Sequence, residues 1–590
     1  MAFTATKQRT ASGRAYSIAY SLFAALAPLS LCLYVTGDVF HDSAVSFMGV
    51  MALFAANTIY AFLGLRDRLL FLFLHMGIAL FLLSRPFISV LENELSWWYM
   101  SSYETEMFAV TALYLSMACL LAATAACGAL HNHNQRQRQR AASCIGRKLM
   151  LPQTHKAPLR SLGLSEKLTG EKRLQYIRWA ALLLYAVCLL GCCYAGVLKL
   201  GYMSGRAYTD FYLIDSSDYV PWVVDLMAVM EPFMLAGYLA TMPRRRGAVL
   251  CLIAHVATTL PMLIIGSRSD FVIAFLFAAL YFVFRAVTDK TQVWVSKRLI
   301  IACCVAIPFG VVAMGLMDYM RAGSTTDLGF ADLVVDALYK QGVSFTIMGL
   351  AYDVNDQVQS LGFKFYSMSG IISAFTQGFV GQTFFDFPLL PTTNSYELAT
   401  QGVSYSHAMS FFAHDNYLGG EGYGSSYILE LFADFGYMGI AVGSLILGFG
   451  LFFLSHLLGR SWFGGMCSLV AATGVFHMPR GYFDEWISYI WSTRFLLAVA
   501  ALVVVSAGFY FLEKHVFSSR KMSLADIARG ALKSVGATMV EKPPLFRDFH
   551  AAKPVAAQYV GKQEEAGESR YPLNKKSIAT VSFGCIREVR

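Results

Sequence analysis

The sequence predicts an all-α integral membrane protein of about twelve transmembrane helices with one long, partly helical external loop. Three observations predict it. The 590 residues are 56% hydrophobic and only 14% charged, with a mean hydropathy of +0.51, too little charge to cover a soluble protein of this length. Apolar runs of about 17–23 residues recur along the chain, the length that crosses about 30 Å of hydrocarbon as a helix. Lysine and arginine are concentrated in alternate connections, as the sidedness of membrane insertion requires.

The runs fall at 15–36, 43–65, 69–91, 108–130, 179–200, 220–242, 249–267, 271–287, 299–320, 428–457, 462–478 and 495–513. Lipid offers no partners to the backbone, so each run must satisfy its own amides as a helix. The first run is too long for a removable signal peptide and has no clear small-residue cleavage site. The twelve cysteines are absent from 322–427. Most, such as Cys192, Cys193, Cys303 and Cys304, sit in helices as small apolar residues, with no spacing that suggests a disulfide framework or zinc site.

Six parts follow from the pattern. Residues 1–130 hold helices 1–4. Residues 131–178 form a basic linker with eleven Lys or Arg against two acids, expected to be poorly ordered at its centre. Residues 179–321 hold helices 5–9, 322–427 the external loop, and 428–513 helices 10–12. Residues 514–590 are a basic tail with fourteen Lys or Arg against seven acids, helix-like at Met522–Leu532. The linker, the turn Arg244–Arg246, the stretch from Arg285 to Arg298 and the tail all fall on one side, which makes that side, and both termini, cytoplasmic. The loop has nine acids, two lysines and no arginine, and lies outside. The net charge of +9 therefore reflects sidedness and the pull of anionic lipid on the tail, not nucleic-acid binding.

The loop is not of low complexity. Phe330–Leu338 is amphipathic and helix-like, 363–379 mixes aromatics with Ser and Gly, and Phe384–Thr393 (FFDFPLLPTT) is apolar enough to lie on the membrane surface. A loop this long and this aromatic is expected to be functional.

Two charged sites interrupt the apolar runs. In LIIGSRSDFVIAF, Leu263 to Phe275, Arg268 and Asp270 lie at a hairpin tip. The flanking run from Val249 to Ile265 rises only about 25 Å, which places the tip below the headgroups, where a charge is costly and is kept for function. The run ending in HMPRGYFDEW is also short. Pro479 stops it, and Arg480 and Asp484 share a helix face at i and i+4 if Arg480 opens a new turn. Arg321 closes helix 9 on the same side. Guanidinium binds diphosphate bidentately and keeps its charge, so recessed arginines on the outer side suit a lipid-linked phosphate or diphosphate. The alternative is that Arg268–Asp270 and Arg480–Asp484 are ion pairs that tie helix ends, and that Arg321 reaches to the headgroups.

The stretch from Ser404 to Ile440 adds polar candidates. Gly419, Gly420, Gly422 and Gly424 make a flexible approach to a helix that Ser425 and Ser426 can cap. Glu430 and Asp434 suit the positive end of that helix. His407, His414, Asp415 and Glu421 are candidates for proton transfer or for holding sugar hydroxyls. Tyr417 and Tyr423 between them suit sugar faces, and equally a membrane-interface belt.

GSRSDFVIAF, GEGYGSSYILELFADFGYMGI and PRGYFD together resemble the Wzy polymerases of bacterial surface polysaccharides, including the O-antigen and enterobacterial common antigen polymerases. The resemblance covers helices 6–12. It maps the family's two arginines onto Arg268 and Arg480 and the acid of the second motif onto Asp484, with Arg321 at a position that is often basic.

The resemblance implies a GT-C-like membrane bundle with a periplasmic loop, in the bacterial inner membrane. It implies a glycosyltransferase that joins repeat units carried on undecaprenyl diphosphate, without a nucleotide sugar, a metal or another cofactor. Membrane lipids and a separate chain-length regulator are the further partners it implies. On that reading Arg268 and Arg480 hold the departing diphosphate, with Arg321 in support. Asp484, His414 and Glu421 are candidate bases, Asp270 orients Arg268, and His407, Asp415, Tyr417 and Tyr423 bind the glycan. A ligase would use the same chemistry. A flippase of lipid-linked sugars would instead use Asp225, Glu231, His75, Arg85 and His255.

Overall fold

Eleven helices among the described residues are long and apolar enough to cross a membrane. The computed structural model describes residues 2–148, 160–206, 219–321 and 327–517. No strand occurs among the described residues. Contacts divide the chain into Met1–Phe511 and Leu512–Arg590. Of the second unit only the start is described, a π-helical turn at Glu513–Phe517, and the helix expected at Met522–Leu532 lies outside the described residues.

Helices α1 (Ala2–Val39) and α2 (Ser43–Leu63) pack along one another. Asp42 starts α2 by accepting the Val45 amide at 3.1 Å. The third span is not one α-helix. It runs through α3 (Leu69–Ile78), a π-helical turn at Ala79–Leu83, and α4 (Ser84–Leu91). Next come α5 (Tyr103–Lys148), α6 (Arg160–Met203), α7 (Trp222–Ala240), α8 (Arg245–Thr258), α9 (Leu260–Ile265), α10 (Ser269–Thr288) and α11 (Lys297–Arg321). The described part of the loop, from residue 327, is largely helical: α12 (Phe330–Gln341), α13 (Val343–Asp353), α14 (Asn355–Ser360), α15 (Ser369–Thr376), α16 (Phe379–Phe384), α17 (Tyr396–Gln401) and α18 (Tyr405–Ala413). The chain re-enters the bundle as α19 (Tyr427–Leu457), α20 (Trp462–His477) and α21 (Thr493–Leu512).

Three expectations change. The eleventh apolar run, 462–478, is α20, whose 16 residues are fewer than those of any of the eleven candidate spans. The hairpin helices are longer than their apolar runs. The span Arg245–Ile265 has 21 residues and Ser269–Thr288 has 20, so each rises about 30 Å and shortness does not recess Arg268. The helix continues past the apolar run because Arg245 and Arg246 form its first turn. The basic linker is helical at both ends, as α5 runs on to Lys148 and α6 begins at Arg160. The centre expected to be poorly ordered, 149–159, lies outside the described residues.

The core forms where α3, α5, α19 and α20 pack. Phe71, Leu74, Leu113, Met117, Leu447 and Leu469 are wholly enclosed there. A buried hydroxyl set joins α5 to α19: Ser116 lies 2.7 Å from the Tyr427 hydroxyl and 2.8 Å from that of Ser444, the kind of polar contact that holds helices together in lipid.

Four contacts fix which helix ends share a face of the bundle. Trp462, opening α20, donates from Nε1 to the Gly237 carbonyl near the end of α7 at 3.0 Å. Gly459, just before α20, lies against Met242 and Phe284. Arg285 donates to the Pro243 carbonyl at 3.0 Å, and Arg178 donates to Thr241. One end of the bundle therefore gathers Arg178, Arg244–Arg246, Arg285 and Arg460. The opposite end gathers the close of α9, the start of α10, the close of α20 and the loop. Arg268 and Arg480 both belong to that second end.

Candidate active site

Arg480 ends a 3-10 turn, Met478–Arg480, that follows α20 directly. Its guanidinium carbon lies 5.9 Å from the centre of the Phe81 ring. Phe81 sits in the π-helical turn of the third span, ten residues before Leu91, about 15 Å of helix from the span's end. The short α20 thus leaves Arg480 well inside the bundle. π-Turns of this kind concentrate at functional sites. On its other side Arg480 meets the glycine run. A Cβ at Gly424 would lie 3.4 Å from the Arg480 carbonyl oxygen and 3.6 Å from its Cγ, so the glycine run lies directly against Arg480.

Arg480 and Asp484 are not on one helix turn. Gly481 and Tyr482 between them are extended (ψ −147° and 151°), and Asp484 belongs to a separate 3-10 turn, Phe483–Trp486. The expected i and i+4 face is lost because Pro479 ends α20 without a new helix starting at Arg480.

Asp484 faces the loop instead. It is 1% exposed, and its Oδ2 accepts the Ile371 amide at 2.7 Å, in the first turn of α15. Burial pushes its carboxyl up to about 6, against the pull of the Ile371 and Gly370 amides. Asp434 does the same for the next segment. It accepts the Tyr366 and Ser367 amides, each at 2.8 Å, and the Ser367 hydroxyl. The helix α19 breaks immediately afterwards, at Phe435 and Gly436 (φ 61°, ψ −150°), a conformation open essentially only to glycine.

Glu430, wholly buried, joins the two segments that flank Arg480. Its Oε2 accepts the Phe483 amide at 2.8 Å, and its Oε1 accepts the Ser425 hydroxyl at 3.2 Å. The role expected for Glu430 and Asp434, complementing the helix dipole, understates them, because both ligate amides from other segments. The signal was a carboxylate on an all-apolar helix face, which needs donors from elsewhere. Glu485 and His477 add a pair at 3.0 Å beside Gly481.

The remaining candidates divide into two groups. His414, Glu421 and Tyr423 lie along the glycine run that reaches Arg480. The His414 ring is 4.9 Å from that of Tyr423, and its Nε2 is 3.6 Å from Glu421 Oε2. His414 Nδ1 accepts the Asn416 amide at 3.2 Å, so the neutral ring carries its proton on Nε2, facing Glu421. Asp415 is exposed beside them. His407 and Tyr417 turn inward. Tyr417 is 2% exposed, and its hydroxyl meets His407 Nδ1 at 3.1 Å and donates to the Ser395 carbonyl. Burial lowers the His407 pKa. Tyr417 presents no face for a sugar to stack on, and its contacts with His407 and Ser395 tie parts of the loop together.

Arg268 is half-buried at the start of α10, which packs on α20. Asp270 is exposed in the first turn of α10, and Lys199 is near enough for its charge to act on it. Arg321 closes α11, and its side chain lies outside the described residues. Four of the five polar groups that suit a transporter are engaged. His255 Nδ1 pairs with Glu231 at 2.8 Å beside a cavity of about 50 Å³. His75 contacts Asn57 and the Phe71 carbonyl. Arg85 donates to Thr346 and Tyr339 of the loop.

The model of the O-antigen polysaccharide polymerase Wzy family matches residues 18–512. The chain belongs to that family. The match runs from the first span to the last, so the Wzy assignment covers the whole described bundle and its loop, and makes the protein a multi-pass membrane polysaccharide polymerase. No curated protein and no solved structure matches the chain.

Proposed function

We propose that the protein joins oligosaccharide repeat units carried on undecaprenyl diphosphate, at the periplasmic face of the bacterial inner membrane. The carrying observation is the depth of Arg480, held against Phe81 in the middle of a membrane span at the same end as Arg268 and the loop. A permanent cation at that depth is costly and is kept for function, and it suits a lipid-linked diphosphate drawn into the bundle below the headgroups. The basic opposite end supports a cytoplasmic location for that end, and α20, which runs from it to the loop end, makes the twelfth pass that brings both termini to that side.

The chemistry follows from the groups present. A hydroxyl of one unit forms a bond to the anomeric carbon of the other glycan while the bond from that carbon to the diphosphate oxygen breaks. Negative charge grows on the departing diphosphate, and Arg480 and Arg268 neutralise it. The hydroxyl proton passes to Glu421. Its exposed carboxylate has open lone pairs, whereas His414 offers Nδ1 to a backbone amide and directs Nε2–H at Glu421. Asp484, enclosed and committed to Ile371, serves better as the anchor of α15 than as a base.

Purified protein given short lipid-linked repeat units should yield a ladder of longer glycans and free undecaprenyl diphosphate. A single transfer to a lipid acceptor with no ladder would mark a ligase. Movement of substrate across vesicles without lengthening would mark a flippase, and either result overturns the proposal.

A further inference from the structure

Between Lys364 and Glu397 the sequence has one charged residue, Asp386. This stretch contains α15 and α16, and its large apolar side chains point outward. Phe379 is 63% exposed, Phe384 71%, Phe385 60% and Leu389 72%. A water-facing patch of that kind is rare on a protein surface and marks an interaction site.

Its position says what covers it. α15 packs on the 3-10 turn Ser488–Trp491, and Gly370 meets the Ser488 side chain. That turn runs straight into α21, a spanning helix whose apolar surface is mostly unburied, with Leu496, Leu497 and Val504 outward. Trp491, 61% exposed at the junction, is a residue type that gathers at the membrane–water boundary. A second aromatic group, Phe363, Phe365 and Phe435, packs edge to face where the loop meets α19. It adjoins the outward Met438 and Val442 of α19. The loop's apolar face is thus continuous with the lipid-facing surface of two spans.

We infer that residues 375–390 are embedded in the bilayer interface at the loop end of the bundle, with phospholipid acyl chains as their partner. The segment works as a fixed raft on which the loop rides. The aromatic rings enter the hydrocarbon edge, and the carboxylates Asp434 and Asp484 tie the adjoining residues 366–371 to the helix ends. The inference is independent of which arginine holds substrate.

The test replaces Phe384 or Leu389 with photoreactive p-benzoylphenylalanine in the full-length chain. The protein is placed in phospholipid nanodiscs with and without undecaprenyl phosphate, irradiated, and its adducts are weighed by mass spectrometry. Phospholipid adducts at both positions in both kinds of disc are expected. Adducts only when undecaprenyl phosphate is present would assign the patch to the substrate's chain and overturn the inference. So would water quenching with no lipid adduct, or cross-links to a second protein chain. A dye-based melting curve matching the unsubstituted protein shows that a missing adduct is not a folding failure.

Discussion

Glu430 Oε2 accepts the Phe483 amide at 2.8 Å across 53 residues of sequence. With its other oxygen on Ser425, the carboxylate fixes the spacing between the glycine run and the turn that carries Arg480. Glu430→Ala leaves a buried amide without a partner, a loss of about 1–3 kcal/mol, and frees both segments. Glu430→Gln can still accept from Phe483 and donate to Ser425. Thermal melting in detergent should fall by several degrees for Ala and little for Gln, with glycan elongation following the same order. Equal loss in both variants would mean that the charge, not the bridge, matters.

The raised pKa of Asp484 gives a pH signature. Its carboxyl is near 6 when folded, against 3.8 when free, so the folded state holds the proton more tightly. That contribution is fully present below about pH 4 and disappears as pH rises through about 6, a span worth roughly 3 kcal/mol. The wild-type melting temperature should therefore fall between pH 4.5 and 7 by more than that of Asp484→Asn. Parallel profiles for the two proteins would exclude this group as the cause.

Gly370 is held by the same contact. A Cβ there would lie 2.7 Å from Asp484 Oδ1 and 3.0 Å from the Ser488 Cβ. Gly370→Ala should destabilise by about 1–3 kcal/mol through overpacking. Gly310→Ala, with nothing within 4 Å, should not. Limited proteolysis of the loop, compared between the two variants, reads the difference directly.

Arg480→Lys and Arg268→Lys keep the charge but lose the bidentate fork. Each should slow chain elongation by about 10²–10³-fold while expression and melting stay near wild type. Elongation within a few-fold of normal in Arg480→Lys would remove it from the diphosphate site.

The Glu231–His255 pair is structural on this reading. Glu231→Gln should lower the melting temperature, since breaking a buried pair costs about 3–5 kcal/mol, yet elongation per folded molecule should persist. Loss of elongation in a protein that melts normally would give the pair a part in the reaction.

The sequence by itself determined the membrane class, twelve apolar runs of which eleven are helices long enough to span, the partly helical character of the loop and the family. Each of these depends on local pattern: twenty apolar residues form a helix in lipid whatever surrounds them, and GSRSDFVIAF or PRGYFD can be read where it stands. The sequence also singled out Arg268 and Arg480 as candidates, because a guanidinium beside an apolar run has few explanations. It misjudged helix length at Arg245–Ile265, where charged residues continue a helix that hydropathy alone would end.

Only the tertiary structure decided what the carboxylates do. Asp484 and Ile371 are 113 residues apart, and Asp434 and Tyr366 are 68. Hydrogen bonds of that span depend on how the loop folds back, which no local pattern encodes. The same holds for the depth of Arg480, set by the packing of α20 against the π-turn at Phe81, and for Tyr417, whose ring is drawn inward by His407 and Ser395. A side chain's chemistry is written in its own residue, but its partner is chosen by the fold.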